Sequence, residues 1–136
     1  MEGGAIKSIL VVDDEAIMRD FLFDVLEGFE VEKASDGDEA IAKMKEKEFD
    51  LIITDMKMPR VSGEEVVKFA RETYPRSRVI VVSGYSSLTS VGTALGYGIC
   101  AFLAKPFTIK QLRAEIDKSL SQKDVNPPGE SRRENG

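Results

Sequence analysis

The chain has 136 residues, 42% hydrophobic and 32% charged, the composition of one globular domain with a real core. Its net charge of −5, from 19 basic and 24 acidic residues, argues against a nucleic-acid footprint over the whole chain. No apolar run approaches a membrane span, the first eight residues are too short and polar for a signal peptide, and the single Cys100 can form no internal disulfide. A reducing cytoplasm is the expected setting. No histidine occurs, so the commonest general base and metal ligand is missing. Any site must work with carboxylates, lysine and hydroxyls.

Ile9-Leu10-Val11-Val12 is a continuous apolar run that reads as a buried strand and ends in Asp13-Asp14-Glu15. Met18, Phe21, Leu22 and Val25 follow at helical spacing, and Asp13 or Asp14 can cap that helix. The turn between them has no glycine-rich phosphate loop, which weakens a nucleotide-binding reading. Residues 29–34 alternate apolar with polar, as an edge strand does. Asp36 with Glu39 then forms a capping box. The helix behind it buries Ala40, Ile41 and Met44 and turns Lys43, Lys45, Glu46 and Lys47 to solvent.

Leu51-Ile52-Ile53-Thr54 is a third strand that delivers one carboxylate, Asp55, at its C-terminal end, before Pro59 starts a loop. Ser62 with Glu65 forms a second capping box, with Val66, Phe69 and Ala70 inward and Pro75 ending the helix. A fourth strand, Val79-Ile80-Val81-Val82, delivers Ser83-Gly84. A fourth helix is expected over 86–98, with Leu88, Val91 and Leu95 at helical spacing and glycines at 92, 96 and 98. Interior glycine costs up to ~1 kcal/mol relative to alanine, so this should be the least rigid helix. A short fifth strand over 99–104, with Cys100 as a buried structural thiol, ends in Lys105-Pro106. Thr108 with Gln111 forms the third capping box, and Ile109, Leu112, Ile116 and Leu120 line the last helix. Residues 122–136 read as a disordered tail or a linker stub, leaving a domain over 6–121.

Strands alternating with helices predict an α/β sandwich around a parallel sheet with right-handed crossovers. The flavodoxin-like, doubly wound order 2-1-3-4-5 puts the alternating strand at an edge and the switch point between strands one and three. Asp13, Asp14 and Asp55 would meet there. Two unit charges about 4 Å apart repel by ~4 kcal/mol at an effective dielectric near 20, so such a cluster raises a pKa or binds a cation. An all-oxygen set suits Mg²⁺. Lys105 adds an ammonium, Ser83 a hydroxyl, and Gly84 leaves the pocket open. That arrangement can accept a phosphoryl group on Asp55, because a positioned carboxylate is a competent nucleophile and phosphoryl transfer chiefly needs positioning and charge neutralisation. Singly, each residue has a bland role: a loop cap, a solvated lysine, a turn serine. Their joint placement at strand ends is what argues for chemistry.

Over 6–121 this pattern resembles the receiver domain of bacterial two-component response regulators. Asp13-Asp14, Asp55, Ser83-Gly84 and Lys105-Pro106 carry the resemblance. It implies that Asp55 is phosphorylated, and that Asp13, Asp14, Asp55 and the main-chain carbonyl of Lys57 hold Mg²⁺. Ser83 and Lys105 would bind phosphoryl oxygens. Ser83 and Phe102 would be the switch, relaying the change to the face of the fourth helix, fifth strand and last helix, with the helix over 86–98 as the bistable element. Lys57, Gly84, Tyr85 and Pro106 flank the pocket, and Lys57 and Tyr85 occupy variable positions that tune the phosphoryl lifetime.

The implied partners are a sensor histidine kinase or His-phosphotransfer protein, a downstream protein or effector domain, and a second copy in a phosphorylation-linked dimer. Neither nucleic acid nor membrane is bound directly, and no enzyme activity is expected beyond self-phosphorylation and autodephosphorylation. The tail fits either a stand-alone regulator or the start of a linker. Two alternatives stand beside this. One is a Mg²⁺-dependent phosphohydrolase with an aspartate nucleophile, which lacks a second acid two residues after Asp55 because Lys57 stands there. The other is a receiver-like binding module that is never phosphorylated.

Overall fold

Three central apolar strands need cover on both faces, and helices from alternate crossovers supply it. The computed structural model describes residues 7–58, 61–84, 92 and 96–121. The elements in order are β1 (Ser8–Val12), α1 (Ala16–Val25), β2 (Glu30–Ala34), α2 (Gly37–Glu46), β3 (Leu51–Thr54), α3 (Gly63–Thr73), β4 (Arg78–Ser83), β5 (Ala101–Ala104) and α4 (Ile109–Ser121). All strand pairs are parallel and the sheet order is β2-β1-β3-β4-β5. This is the flavodoxin-like arrangement expected from the pattern. The helix expected over 86–98 lies largely outside the described residues, as do Pro59, Tyr85 and the 122–136 segment.

Side-chain alternation along the strands divides the interior into two cores. Leu10, Val12, Ile52, Val79 and Val81 pack under α2 and α3 with Met44, Val66, Val67 and Ala70. Ile9, Val11, Leu51, Ile53, Ile80 and Val82 pack on the other face with Leu22 and Leu26 and with Leu112 and Ile116 of α4. Each fully buried Leu or Ile contributes roughly 1.5–3 kcal/mol relative to an exposed one. At the β2 edge, Lys43 of α2 and Lys47 at its C-cap do not simply face solvent. Lys43 lies 3.5 Å from Glu32, and Lys47 lies 3.7 and 3.6 Å from Glu30 and Glu32. Such pairs add at most ~1 kcal/mol each, but they cover an exposed strand edge with charge.

One of the three expected capping boxes forms as a reciprocal pair, and a second forms with its return bond one residue earlier. Asp36 accepts from the Glu39 N–H at 2.8 Å, and the Glu39 carboxylate takes the N–H and hydroxyl of Ser35 at 2.8 and 3.0 Å. Thr108 and Gln111 cap reciprocally at 2.9 and 3.0 Å. Ser62 instead stands at its N-cap with no side-chain bond, and the Gly63 N–H donates to the Met56 carbonyl at 2.9 Å. The Glu65 N–H that the cap would use donates instead to the Ser62 carbonyl at 3.1 Å. A Cβ on Gly63 would overlap the Asp55 carbonyl and lie 2.6 Å from the Met56 Cα, so α3 starts hard against the loop after β3.

Two further expectations change. Ile109 is 43% exposed, and Phe107, tilted against Phe21 at a centroid distance of 6.2 Å, packs into that core in its place. Cys100 is half-buried rather than buried, because it precedes an edge strand. The buried surprise is Arg71 of α3, 6% exposed. Its guanidinium donates to the carbonyls of Tyr97, Pro75 and Ser77 at 3.2, 2.9 and 3.3 Å, and burial holds its pKa below the usual arginine value. Tyr97 also donates its hydroxyl to Glu64, near the start of α3, at 2.9 Å.

The crowding at Gly63 has a measurable consequence. Gly63→Ala should lower the free energy of unfolding by about 1–3 kcal/mol, read by urea denaturation, whereas alanine at Gly84, where a Cβ meets nothing within 4 Å, should cost far less.

Candidate functional site

The parallel pairing of β1 with β3 places Val12 beside Thr54, so Asp13 and Asp55 leave the sheet together. The ladder runs one residue further: the Asp55 N–H donates to the Val12 carbonyl at 3.0 Å, and the Asp13 N–H to the Ala34 carbonyl at 3.2 Å. The Thr54 hydroxyl holds the Asp55 carbonyl at 2.8 Å. On the other side, Ser83 pairs with Ala104, and the Lys105 N–H donates to the Ser83 carbonyl at 2.9 Å. Four strand ends thus bring Asp13, Asp55, Ser83 and Lys105 to the C-terminal edge of the sheet, where open α/β sheets bind ligands.

Lys105 Nζ lies 2.9 Å from Asp13 Oδ2, 3.0 Å from Asp55 Oδ2 and 3.8 Å from Glu15 Oε1. Asp13 is fully buried, Asp55 nearly so, and Asp14 is exposed. The second oxygen of each buried acid meets a backbone donor: Asp13 Oδ1 takes the Glu15 N–H at 2.9 Å, and Asp55 Oδ1 takes the Lys57 N–H at 3.2 Å. Asp13 therefore also closes the turn into α1, the local role open to it from sequence. The Arg19 guanidinium reaches back from α1 to the Asp13 carbonyl at 2.8 Å.

Charge is not balanced here. Burial pushes the Asp13 carboxyl above its usual pKa, against the opposing pull of the Glu15 N–H and Lys105. Burial alone would lower the Lys105 ammonium, but its bonds to Asp13 and Asp55 outweigh that and leave it raised. One ammonium does not offset the acids around it. Asp13, Asp14 and Asp55 each offer a carboxylate oxygen, and these oxygens lie within 4.8 Å of one another. An oxygen-only donor set with excess negative charge fits a hard divalent cation such as Mg²⁺.

The acids open into a cleft of about 350 Å³ lined by Asp14, Glu15, Asp55, Lys57, Ser83, Gly84 and Lys105. Ser83 is buried at its floor and Gly84 exposed at its rim. Phe102 is not in the cleft. It sits half-buried on β5, paired with Val81, against the core under α2 and α3. Pro106, joined to Lys105 by a cis peptide, belongs to an adjacent apolar depression of about 260 Å³ with Ile17, Met18, Phe21 and Phe107. Tyr85 lies outside the described residues. Sequence reasoning missed Gly63 beneath the Asp55 loop, Glu15 beside Lys105, and Arg19. Glu15 could have been found as the third acid of its run. Nothing local marks Gly63, whose constraint comes from a loop seven residues upstream.

A model of the response regulator receiver domain matches residues 9–117. The chain belongs to this family. Chemotaxis protein CheY of Bacillus subtilis (strain 168) is 34% identical over 116 residues, covering 83% of this chain and 97% of that protein. The transcriptional regulatory protein ZraR of Escherichia coli O157:H7 is 30% identical over 119 residues, 86% of this chain but only 27% of ZraR. Among solved structures, a CheY-like receiver domain protein from Methanospirillum hungatei JF-1 superposes with a TM-score of 0.82 at 34% identity, over 85% of this chain and 94% of that one. Receiver domains are in general signal transducers rather than enzymes; they work with histidine kinases and bind Mg²⁺ at an acidic pocket. No helix among the described residues is long and apolar enough to cross a membrane.

The electrostatics of this receiver domain yield a pH-dependent prediction. Lys105→Met leaves Asp13 and Asp55 facing each other without their shared cation, which should cost about 3 kcal/mol at pH 7. The loss should shrink as pH falls through the raised pKa of Asp13, where protonation removes the repulsion. Chemical denaturation at pH 7 and pH 4 reads both.

Proposed function

We propose that the domain over 6–121 takes a phosphoryl group onto Asp55 from a phosphohistidine of a sensor kinase or His-phosphotransfer protein, and passes the change to a partner. The observation that carries this reading is the convergence of Asp55 and Asp13 on Lys105 Nζ, at 3.0 and 2.9 Å, at the mouth of an open cleft. Asp55 is oriented by the Lys57 N–H and Lys105. Its carboxylate attacks phosphorus in line, the P–O bond forms as the P–N bond breaks, and the donor imidazole leaves. Lys105 then follows the charge onto a phosphoryl oxygen, and the Ser83 hydroxyl takes another. Asp13, Asp14, Asp55 and the main-chain carbonyl of Lys57 would hold Mg²⁺, which when bound neutralises charge on the transferring group. Lys57 and Gly84 line the pocket, Pro106 borders the depression beside it, and together they set how readily water or donor enters.

A phosphoryl group adds about −1.5 to −2 charge. In this reading Ser83 moves toward it at the end of β4, and Phe102, on the neighbouring strand, turns in behind. The change emerges on the face made by β5 and α4, with the helix expected over 86–98 as its bistable element. Full switching from 1:99 to 99:1 needs ~5.5 kcal/mol of differential stabilisation, so binding of the downstream protein, effector domain or second copy supplies part of it. The donor protein approaches over Ile17, 86% exposed at the rim of the apolar depression beside the cleft.

Intact-protein mass spectrometry with a small phosphodonor and Mg²⁺ tests the acceptor role. One phosphoryl adduct is expected on the wild type, none on Asp55→Asn, and none with a chelator present. Absence of both adduct and phosphate release from the donor would overturn the reading. Ile17→Ala should slow transfer from a phosphohistidine protein about tenfold, one lost hydrophobic anchor at an interface, and leave the small-donor rate unchanged.

A further inference from the structure

We infer that Arg19 is a positioning residue for the acidic pair. It sets the affinity of the site for Mg²⁺ without touching the ion or the phosphoryl group. The inference rests on the site reading above and goes beyond it. The starting observation is a residue in the wrong place for its helix. The N-terminus of a helix is its positive end and disfavours a cation, yet Arg19 stands within the first four residues of α1. That turn carries no acid, and its N-cap, Glu15, makes no side-chain cap bond. A local rule broken without local gain points to a task elsewhere.

The task is visible in the bond that Arg19 makes. Its Nη1 donates at 2.8 Å to the main-chain carbonyl of Asp13, six residues back. That carbonyl is the first beyond the β1 ladder: the Val12 carbonyl still accepts from Asp55, and the Asp13 N–H still donates to Ala34. The Asp13 carbonyl belongs to the same rigid peptide plane as the Asp14 N–H. Arg19 therefore fixes the plane from which Asp14 departs, while the Glu15 N–H, at 2.9 Å from Asp13 Oδ1, fixes the Asp13 carboxylate. Asp13 is buried and held at several atoms, but Asp14 is exposed and its aim depends on this plane. Because the guanidinium holds a carbonyl, it takes up none of the carboxylate oxygens that approach within 4.8 Å. Partners that orient metal ligands in this way typically change metal affinity by about 10–100-fold when removed.

The experiment is a Mg²⁺ titration of the wild type, Arg19→Ala and Arg19→Lys, followed by the amide chemical shifts of Glu15 and Lys57. Phosphorylation by a small phosphodonor is measured in parallel at saturating Mg²⁺. Arg19→Ala should raise the half-saturating Mg²⁺ concentration about tenfold and leave the saturated rate within about twofold of wild type. Arg19→Lys, which keeps a donor and the charge but not the planar fork, should recover part of the affinity and carries the test if the alanine variant does not fold. Unchanged half-saturation in both variants would overturn the inference. So would a fall in the saturated rate equal to the fall in affinity, since that would place Arg19 in the reaction itself. A wild type whose amides do not respond to Mg²⁺ would overturn the metal-site reading, a result distinguishable from failure of Arg19 alone.

Discussion

Two buried carboxylates sharing one lysine is the constraint around which the molecule is arranged. Asp13 and Asp55 are held beside each other by parallel pairing of the strands that carry them, and Lys105 reaches both from the far side of β4. Like charges so placed are unfavourable in a low-dielectric setting, and burial leaves the Asp13 carboxyl with a raised pKa even with Lys105 in contact. The hydrophobic cores on the two faces of the sheet supply the stability against which this strain is set. Function sits at the unfavourable edge of an otherwise consistent fold.

The resting pocket carries its own counterion. In the proposed reaction Lys105 answers the acids until a divalent cation and a phosphoryl group arrive, and then changes partner from carboxylate to phosphoryl oxygen. Such an exchange needs a side chain that is long, charged and only loosely enclosed. Lys105, with a side chain 16% exposed at the cleft, meets that description, whereas Ser83 is closed in at the strand end. In that reading the strand ends set where each group starts, and Lys105, the longest side chain among them, has the furthest to travel.

Much of this was legible in the sequence because its signals are periodic or chemical. Continuous apolar runs marked β1, β3 and β4, alternation marked β2 as an edge, and acids following apolar runs marked the site. Ligand roles for Asp13, Asp14, Lys57 and Asp55 remain part of the proposed function, although the clustering of the three aspartates was foreseeable from strand order. What could not be read depends on tertiary approach. Ser62 looks like Thr108 in sequence, yet of the two only Thr108 caps, and the Ser62 N-cap leads straight into Gly63, pressed onto the Asp55 loop. Ile109 fits the apolar spacing of its helix but is displaced outward by Phe107, which local periodicity cannot rank. Arg71 would be taken for a surface residue by any pattern rule, because its partners are carbonyls distributed over residues 75–97.

The absence of a side chain at Gly63 has a mechanical meaning. With no Cβ between them, the first turn of α3 rests directly on the carbonyl of Asp55, leaving no compressible layer at that contact. Interiors packed at this density transmit displacement rather than absorb it. A shift of the main chain at Asp55 must therefore be taken up by α3 as a rod. The rod has two grips on Tyr97: Glu64 on its hydroxyl and Arg71, two turns further along, on its carbonyl. The Asp55 loop and the chain entering β5 are thus linked through one helix, by a backbone contact at one end and two hydrogen bonds along its length.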